Sequence, residues 1–94
     1  MGLTDEQIAL ITEYSAALLT PMDISILIGL EASERSAFVV RCRNHIGTAE
    51  YEAYQLGRLQ TKLELRKNII KLAKAGSPVA EPLAEKFIKE QNLD

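Results

Sequence analysis

Apolar residues recur at helical spacing along nearly the whole chain, and breaks in that rhythm divide it into five segments. The first begins after Thr4, where Thr4-x-x-Gln7 has capping-box form and Asp5 and Glu6 suit the positive end of a helix dipole. Ile8, Ile11, Ser15 and Leu18 make one stripe, widened by Leu10, Tyr14 and Leu19, so this helix is expected to end near Leu19. Thr20-Pro21 starts a second helix over Pro21–Leu30: Thr20 caps it, Pro21 takes its first position, and Asp23 its third. Met22, Ile24, Ile26, Leu27, Ile28 and Leu30 leave it little polar surface, which predicts the most buried element of the chain. Gly29 closes it.

Ser33 is the expected cap of a third helix over Glu34–His45, with Ala37, Phe38, Val40 and Cys42 facing inward. Ile46-Gly47 ends it. The longest pattern then runs from Thr48 to Ala75, with a seam at Leu56, Leu59, Leu63, Ile70 and Ala73 that Arg66 interrupts. A second stripe, Leu65, Ile69 and Leu72, broadens the apolar face. Gly57 marks a bend or a close helix crossing, since Gly inside a helix costs about 1 kcal/mol against Ala. Gly76 stops the long helix and Ser77-Pro78 starts the last, whose stripe is Val79, Ala80, Leu83, Ala84, Phe87 and Ile88. So short a turn predicts an antiparallel hairpin in which this helix covers Leu65, Ile69 and Leu72.

The fold class expected is therefore all-α. A three-helix head over 1–47 leads into a hairpin over 48–94, the two forming one compact unit rather than independent domains. About 27 helical residues span roughly 40 Å, against a radius of gyration of about 13 Å for a domain of this size. A helix that outruns its head with apolar surface calls for a second chain, so a homo-oligomer joined through Leu56, Leu59, Leu63 and Ile70 is expected.

Composition sharpens this picture. A hydrophobic content of 47% fits a globular protein. No apolar run is long enough for a membrane span. The acids near the N-terminus do not make a secretory signal, and Glu6 stands where a myristoylation pattern wants Ser or Thr. Cys42 has no cysteine partner, which suits a reducing cytoplasm. The net charge of −2 hides a strong asymmetry. Residues 1–34 hold six acids and no Lys or Arg, 35–76 hold nine bases and three acids, and 77–94 hold two bases and four acids. The middle third is either an interaction face or the counterpart of the acidic head.

Candidate chemistry is sparse. Cys42-x-x-His45 supplies two potential ligands where a structural zinc site wants four, and no orienting group marks a nucleophile pair. Glu50/Glu52 and Glu81/Glu85 read as helix-start acids and solvated faces. There is no Gly-rich phosphate loop. Neither a catalytic residue, a metal site nor a cofactor is expected.

The second and third helices have helix-turn-helix lengths, with Gly29 at the turn between Ile28 and Leu30, and Ser25 where a small residue is usual. Arg35, Arg41, Arg43 and Asn44 on the third helix are types that read bases and phosphates. Arg58 and Lys62 continue the positive charge along the long helix toward Arg66. Against this, Arg35 sits near a position that ordinarily takes an apolar residue, and Glu31 and Glu34 flank the helix start. Two uses remain open on the residues alone: DNA binding, or an oligomeric scaffold or adaptor that touches only protein. An enzyme is the weaker third.

Three stretches resemble a known family. Thr20-Pro21-Met22-Asp23-Ile24 with Ile28-Gly29-Leu30 is similar to a helix-turn-helix opening. Tyr54-x-x-Gly57-Arg58 with Glu64-Leu65-Arg66-Lys67 resembles the helix beyond it, and Leu72-Ala73-Lys74-x-Gly76-Ser77-Pro78-x-Ala80 the turn that follows. Together they resemble small phage-type proteins akin to the terminase small subunit. The resemblance implies a catalytically inactive protein whose head binds packaging-site DNA, whose hairpin assembles a ring, and whose partner is a large ATPase subunit. It would make Pro21–Leu30 the supporting helix, Arg35–His45 the recognition helix, and Leu56–Ala73 with Val79–Ile88 the assembly hairpin.

Overall fold

The computed structural model describes residues 2–93. Five α-helices and no strand appear among them: α1 Asp5–Ala16, α2 Pro21–Leu27, α3 Ala32–Asn44, α4 Ala49–Lys74 and α5 Ala80–Leu93. The all-α expectation holds. Two compact units divide the chain, the first through Thr61 and the second from Lys62, with the boundary inside α4.

The helix starts follow local chemistry. Thr4 forms a full capping box with Gln7, and the Thr20 hydroxyl accepts from the Asp23 amide at 3.2 Å with Pro21 in the first turn. Thr48 accepts from the Tyr51 amide at 3.2 Å. α3 departs from expectation: it opens at Ala32 behind Glu31, whose side chain makes no capping bond. α5 begins at Ala80, two residues beyond Pro78, and the Ser77 hydroxyl accepts from the Ala80 amide.

Three helices end the same way. After α2, the Gly29 amide donates to Ile26 O and the Leu30 amide to Ser25 O. After α4, the Gly76 amide donates to Ala73 O and the Ser77 amide to Leu72 O. Gly29 and Gly76 have φ of 84° and 90°, the left-handed geometry of a Schellman stop. α1 ends identically at Leu18, φ 66°, with the Leu18 amide on Ser15 O and the Leu19 amide on Tyr14 O. Helix α1 therefore stops at Ala16, short of Leu19, and α2 stops at Leu27 because Ile28–Leu30 are spent in its closing turn.

The core lies in the first unit. Ile11, Ile24, Ile28, Leu30, Phe38, Cys42, Ala53 and Tyr54 form one buried cluster, with Ile8, Leu10 and Tyr14 packed against it. Fully burying a side chain such as Ile11 or Phe38 contributes about 1.5–3 kcal/mol. Helix α2 is not the most buried element: Pro21, Ile24 and Ser25 are inside, but Met22, Ile26 and Leu27 are exposed. Only one face of a short helix reaches a core this small. On α3 the inward residues are Phe38 and Cys42, while Ala37 and Val40 face out. Helix α4 runs unbroken through Gly57, so that residue serves a close crossing: a Cβ there would meet the Thr12 carbonyl at 2.3 Å.

The second unit is the end of α4 and the antiparallel α5. The guanidinium of Arg66 lies 4.1 Å from the Phe87 ring centroid and its Nη2 donates to Glu90 at 2.6 Å. The expected docking face is corrected in part. Leu65 and Leu72 are exposed and Ile69 is half-buried, while Leu63, Arg66, Ile70 and Ala73 line an open cavity together with residues of α5. Ala80 is the one buried residue among those described in this unit.

Candidate nucleic-acid interface

In the first unit α2, its closing turn and α3 form a helix-turn-helix-like pair. Ile24 and Ser25 of α2, Ile28 and Leu30 of the turn, and Phe38 of α3 are all buried. Ser25 fits because its hydroxyl donates to the Met22 carbonyl at 2.6 Å, so the buried oxygen is satisfied. Two side chains then clamp the turn. Gln7 Nε2 of α1 donates to Ile28 O at 3.1 Å, and Arg35 Nε of α3 donates to Leu30 O at 3.1 Å. Gln7 serves twice, since its Oε1 also accepts from the Thr4 amide. These clamps were not legible in the sequence: Gln7 reads fully as a capping-box residue, and Arg35 as a candidate DNA contact.

The structure sorts the candidate contacts. Arg35 is half-buried on the turn it clamps. Arg41 is half-buried and its Nε pairs with the Glu50 carboxylate of α4. Both guanidiniums already serve the fold. Arg43 and Asn44 are exposed at the C-terminal end of α3. They continue an outward stripe of Ser33, Ser36, Ala37 and Val40, set by the three-and-four spacing of a helix face. Arg58 is exposed on α4, 5.6 Å from the Tyr54 ring centroid. Lys62 belongs to the second unit, where it lines a cavity between α4 and α5.

Of the residues expected at a subunit contact, Leu56 and Leu59 lie in the first unit and Leu63 and Ile70 in the second. All four are 39–54% exposed, so about half of each remains uncovered among the described residues.

Electrostatics add one buried group. The Cys42 thiol is inaccessible and its pKa is pushed up to about 12, first by burial and then by the Glu50 carboxylate, with Arg41 and Arg43 opposing. His45, three residues on, is exposed, so the two side chains do not converge. Among the described residues, no three His, Cys, Asp or Glu side chains cluster closely enough to hold a metal ion. No helix of the described residues is long and apolar enough to cross a membrane.

In comparisons with known proteins, no family profile matches this chain, and no curated protein and no solved structure is significantly similar to it.

Proposed function

We propose that the chain is a non-enzymatic phage- or prophage-type DNA-binding protein, resembling the small subunit of a DNA-packaging terminase. In this reading it acts in the cytoplasm as a homo-oligomer, beside a large ATPase subunit. The observation that carries the proposal is the α2–turn–α3 geometry: a left-handed Gly29 between buried Ile28 and Leu30, with Ile24, Ser25 and Phe38 beneath. Arg43 and Asn44 at the outer end of α3, with Arg58 on α4, are the contacts to duplex DNA in this unit, while Arg35 and Arg41 hold the frame that presents them. The exposed Leu56 and Leu59 supply surface for subunit contact.

The test is binding to duplex DNA across a range of salt concentrations. The affinity should fall steeply with salt, and an Arg43→Ala/Arg58→Ala variant should lower the log–log slope by about 2 per bound subunit. A folded protein that fails to bind at low salt sinks the proposal.

One observation favours a second reading, the oligomeric scaffold or adaptor that binds only protein. The α3 stripe from Ser33 to Val40 carries no base, and Glu31 and Glu34 are exposed beside it. With eight acids against four bases, residues 1–61 are net acidic. Absence of DNA binding together with stable self-association selects this reading.

A further inference from the structure

The second unit holds an open cavity of about 790 Å³ between α4 and α5. Leu63, Ile70 and Ala73 of α4 face Ala84, Phe87 and Ile88 of α5 across it. Leu63 is 54% and Ile88 59% exposed, so this floor lies open among the described residues. A two-helix unit whose one buried residue among those described is Ala80 offers no core in which to hide these side chains. The α4 wall runs from Lys62 to Lys74, about three turns or roughly 18 Å, which is a helix-sized trough.

The rim has a definite sign. Lys62, Arg66, Lys67 and Lys74 stand along α4, and Glu90 on α5 is the acid that faces them. Arg66 is engaged by Glu90 and Phe87. Lys62, Lys67 and Lys74 make no ion pair among the described residues. We infer that this groove docks an acidic amphipathic helix from a different protein, its apolar stripe on the Leu63–Ile70–Phe87 floor and its carboxylates on the lysine rim. This is the helix-in-groove mode, with charge complementarity choosing the partner.

The chain's own helices do not meet that description. Helix α1 is acidic, but its apolar residue Ile11 is fully buried in the first unit. Helix α2 exposes Met22 and Ile26 yet has only seven residues, shorter than the trough. Helix α5 is already one wall and carries Lys86 and Lys89. A phosphate backbone would use the lysines but leave the apolar floor uncovered. The inference is independent of whether the first unit binds DNA.

The experiment uses the full chain and fluorescein-labelled helical peptides of about fourteen residues, with Leu at i, i+3, i+7 and i+10 and Glu along both flanks. Saturable binding of the Glu peptide is expected, with NMR shift changes at Leu63, Ile70 and Phe87. A Lys62→Gln/Lys67→Gln/Lys74→Gln variant should bind about tenfold more weakly. An Ile70→Gln variant, at a site 39% exposed, should lose binding while keeping its helical circular dichroism. No binding by the folded chain overturns the inference. So does equal affinity for a peptide with Gln in place of Glu, or shift changes confined to the first unit. If Ile70→Gln instead abolishes self-association and the peptide does not compete, a second copy fills the groove and the inference falls.

Discussion

Gly57 of α4 lies against Ser15 of α1 so closely that a Cβ on the glycine would stand 1.9 Å from the serine oxygen. One hydrogen bond spans the crossing, and the serine bonds back within its own helix. Ser15 Oγ donates back to the Thr12 carbonyl at 3.1 Å, and Thr61 Oγ1, one turn beyond Gly57, donates to Ala16 O. In an ordinary helix Gly→Ala would stabilise by about 1 kcal/mol. Here the sign reverses. Gly57→Ala should destabilise by about 1–3 kcal/mol in denaturant titration, the range for overpacking. Ser15→Ala should not rescue it, because backbone atoms Thr12 O and Ala16 N also lie within 2.8 Å of the added carbon.

Leu18 is the one non-glycine residue with positive φ among those described. It fills the left-handed position that Gly29 and Gly76 fill after α2 and α4, and its side chain is 60% exposed. An L-residue there pays roughly 1–2 kcal/mol of backbone strain. Leu18→Gly relieves that strain and loses little packing, but it frees the unfolded chain. A net gain of about 0.5–1 kcal/mol is expected, read as a rise in Tm. A fall in Tm would mean that Leu18 packs in a way its exposure does not show.

Caps and stops were the legible part of this chain. Thr4, Thr20 and Gly76 act where side-chain chemistry puts them, because those effects are local to a few residues. Leu18 is opaque for the same reason: nothing in a leucine announces a left-handed residue, and the apolar pattern runs on to Leu19. Faces were harder than ends. Met22, Ile26 and Leu27 are as apolar as Ile24, and only the position of α3 decides which of them is covered. Arg66 reads as a break in an apolar seam until Phe87, distant in sequence, is found against its guanidinium. In the sequence, only residue type marks the basic side chains of α3. Glu50 and the Leu30 carbonyl, which take up Arg41 and Arg35, belong to neighbouring elements whose placement no spacing rule supplies.

The division of labour among the α3 arginines can be measured. Arg41 pairs with Glu50 in a half-buried setting that joins α3 to α4, so Arg41→Ala leaves a partly desolvated carboxylate. A loss of about 1–2 kcal/mol is expected, between the values for exposed and buried pairs. Arg43 is exposed, and Arg43→Ala should change stability by no more than about 0.5 kcal/mol. In DNA titrations at a temperature where both variants are folded, Arg43→Ala should carry the larger loss. The opposite ranking would return Arg41 to the interface.

Cys42 makes a prediction in alkaline solution. Burial holds its folded pKa at about 12, above the ordinary thiol value of 9.0. Below pH 9 the thiol is protonated in both states and its contribution is constant. From pH 9 toward 12 the unfolded chain releases the proton while the folded chain keeps it, so stability falls with rising pH. Cys42→Ala should show a shallower decline over that window, although it starts lower because of the cavity it leaves. In wild type, thiol labelling at pH 8 should proceed only as fast as the head opens, and should accelerate in denaturant. Rapid labelling under native conditions would contradict the burial.

Arg66 is where the hairpin is pinned, and the pin has two parts. The guanidinium lies on Phe87, a contact typically worth about 0.5–1 kcal/mol at an accessible site. The same group donates to Glu90, and that hydrogen bond, helped by the charges of Lys86 and Lys62, holds the carboxyl below its ordinary 4.5. A lowered carboxyl stabilises above pH 4.5, and the contribution is lost as pH falls through the folded value. Amide exchange in α5, corrected for its intrinsic pH dependence, should therefore lose protection as the solution is acidified below that point. Glu90→Gln should remove the pH dependence while keeping the ring contact. Arg66→Ala should remove both and speed exchange at neutral pH. Arg66→Lys should behave more like Ala than wild type, because an ammonium cannot lie flat on Phe87 while its donors reach Glu90. If Lys restores full protection, the pin is a simple charge pair and the planar contact contributes nothing.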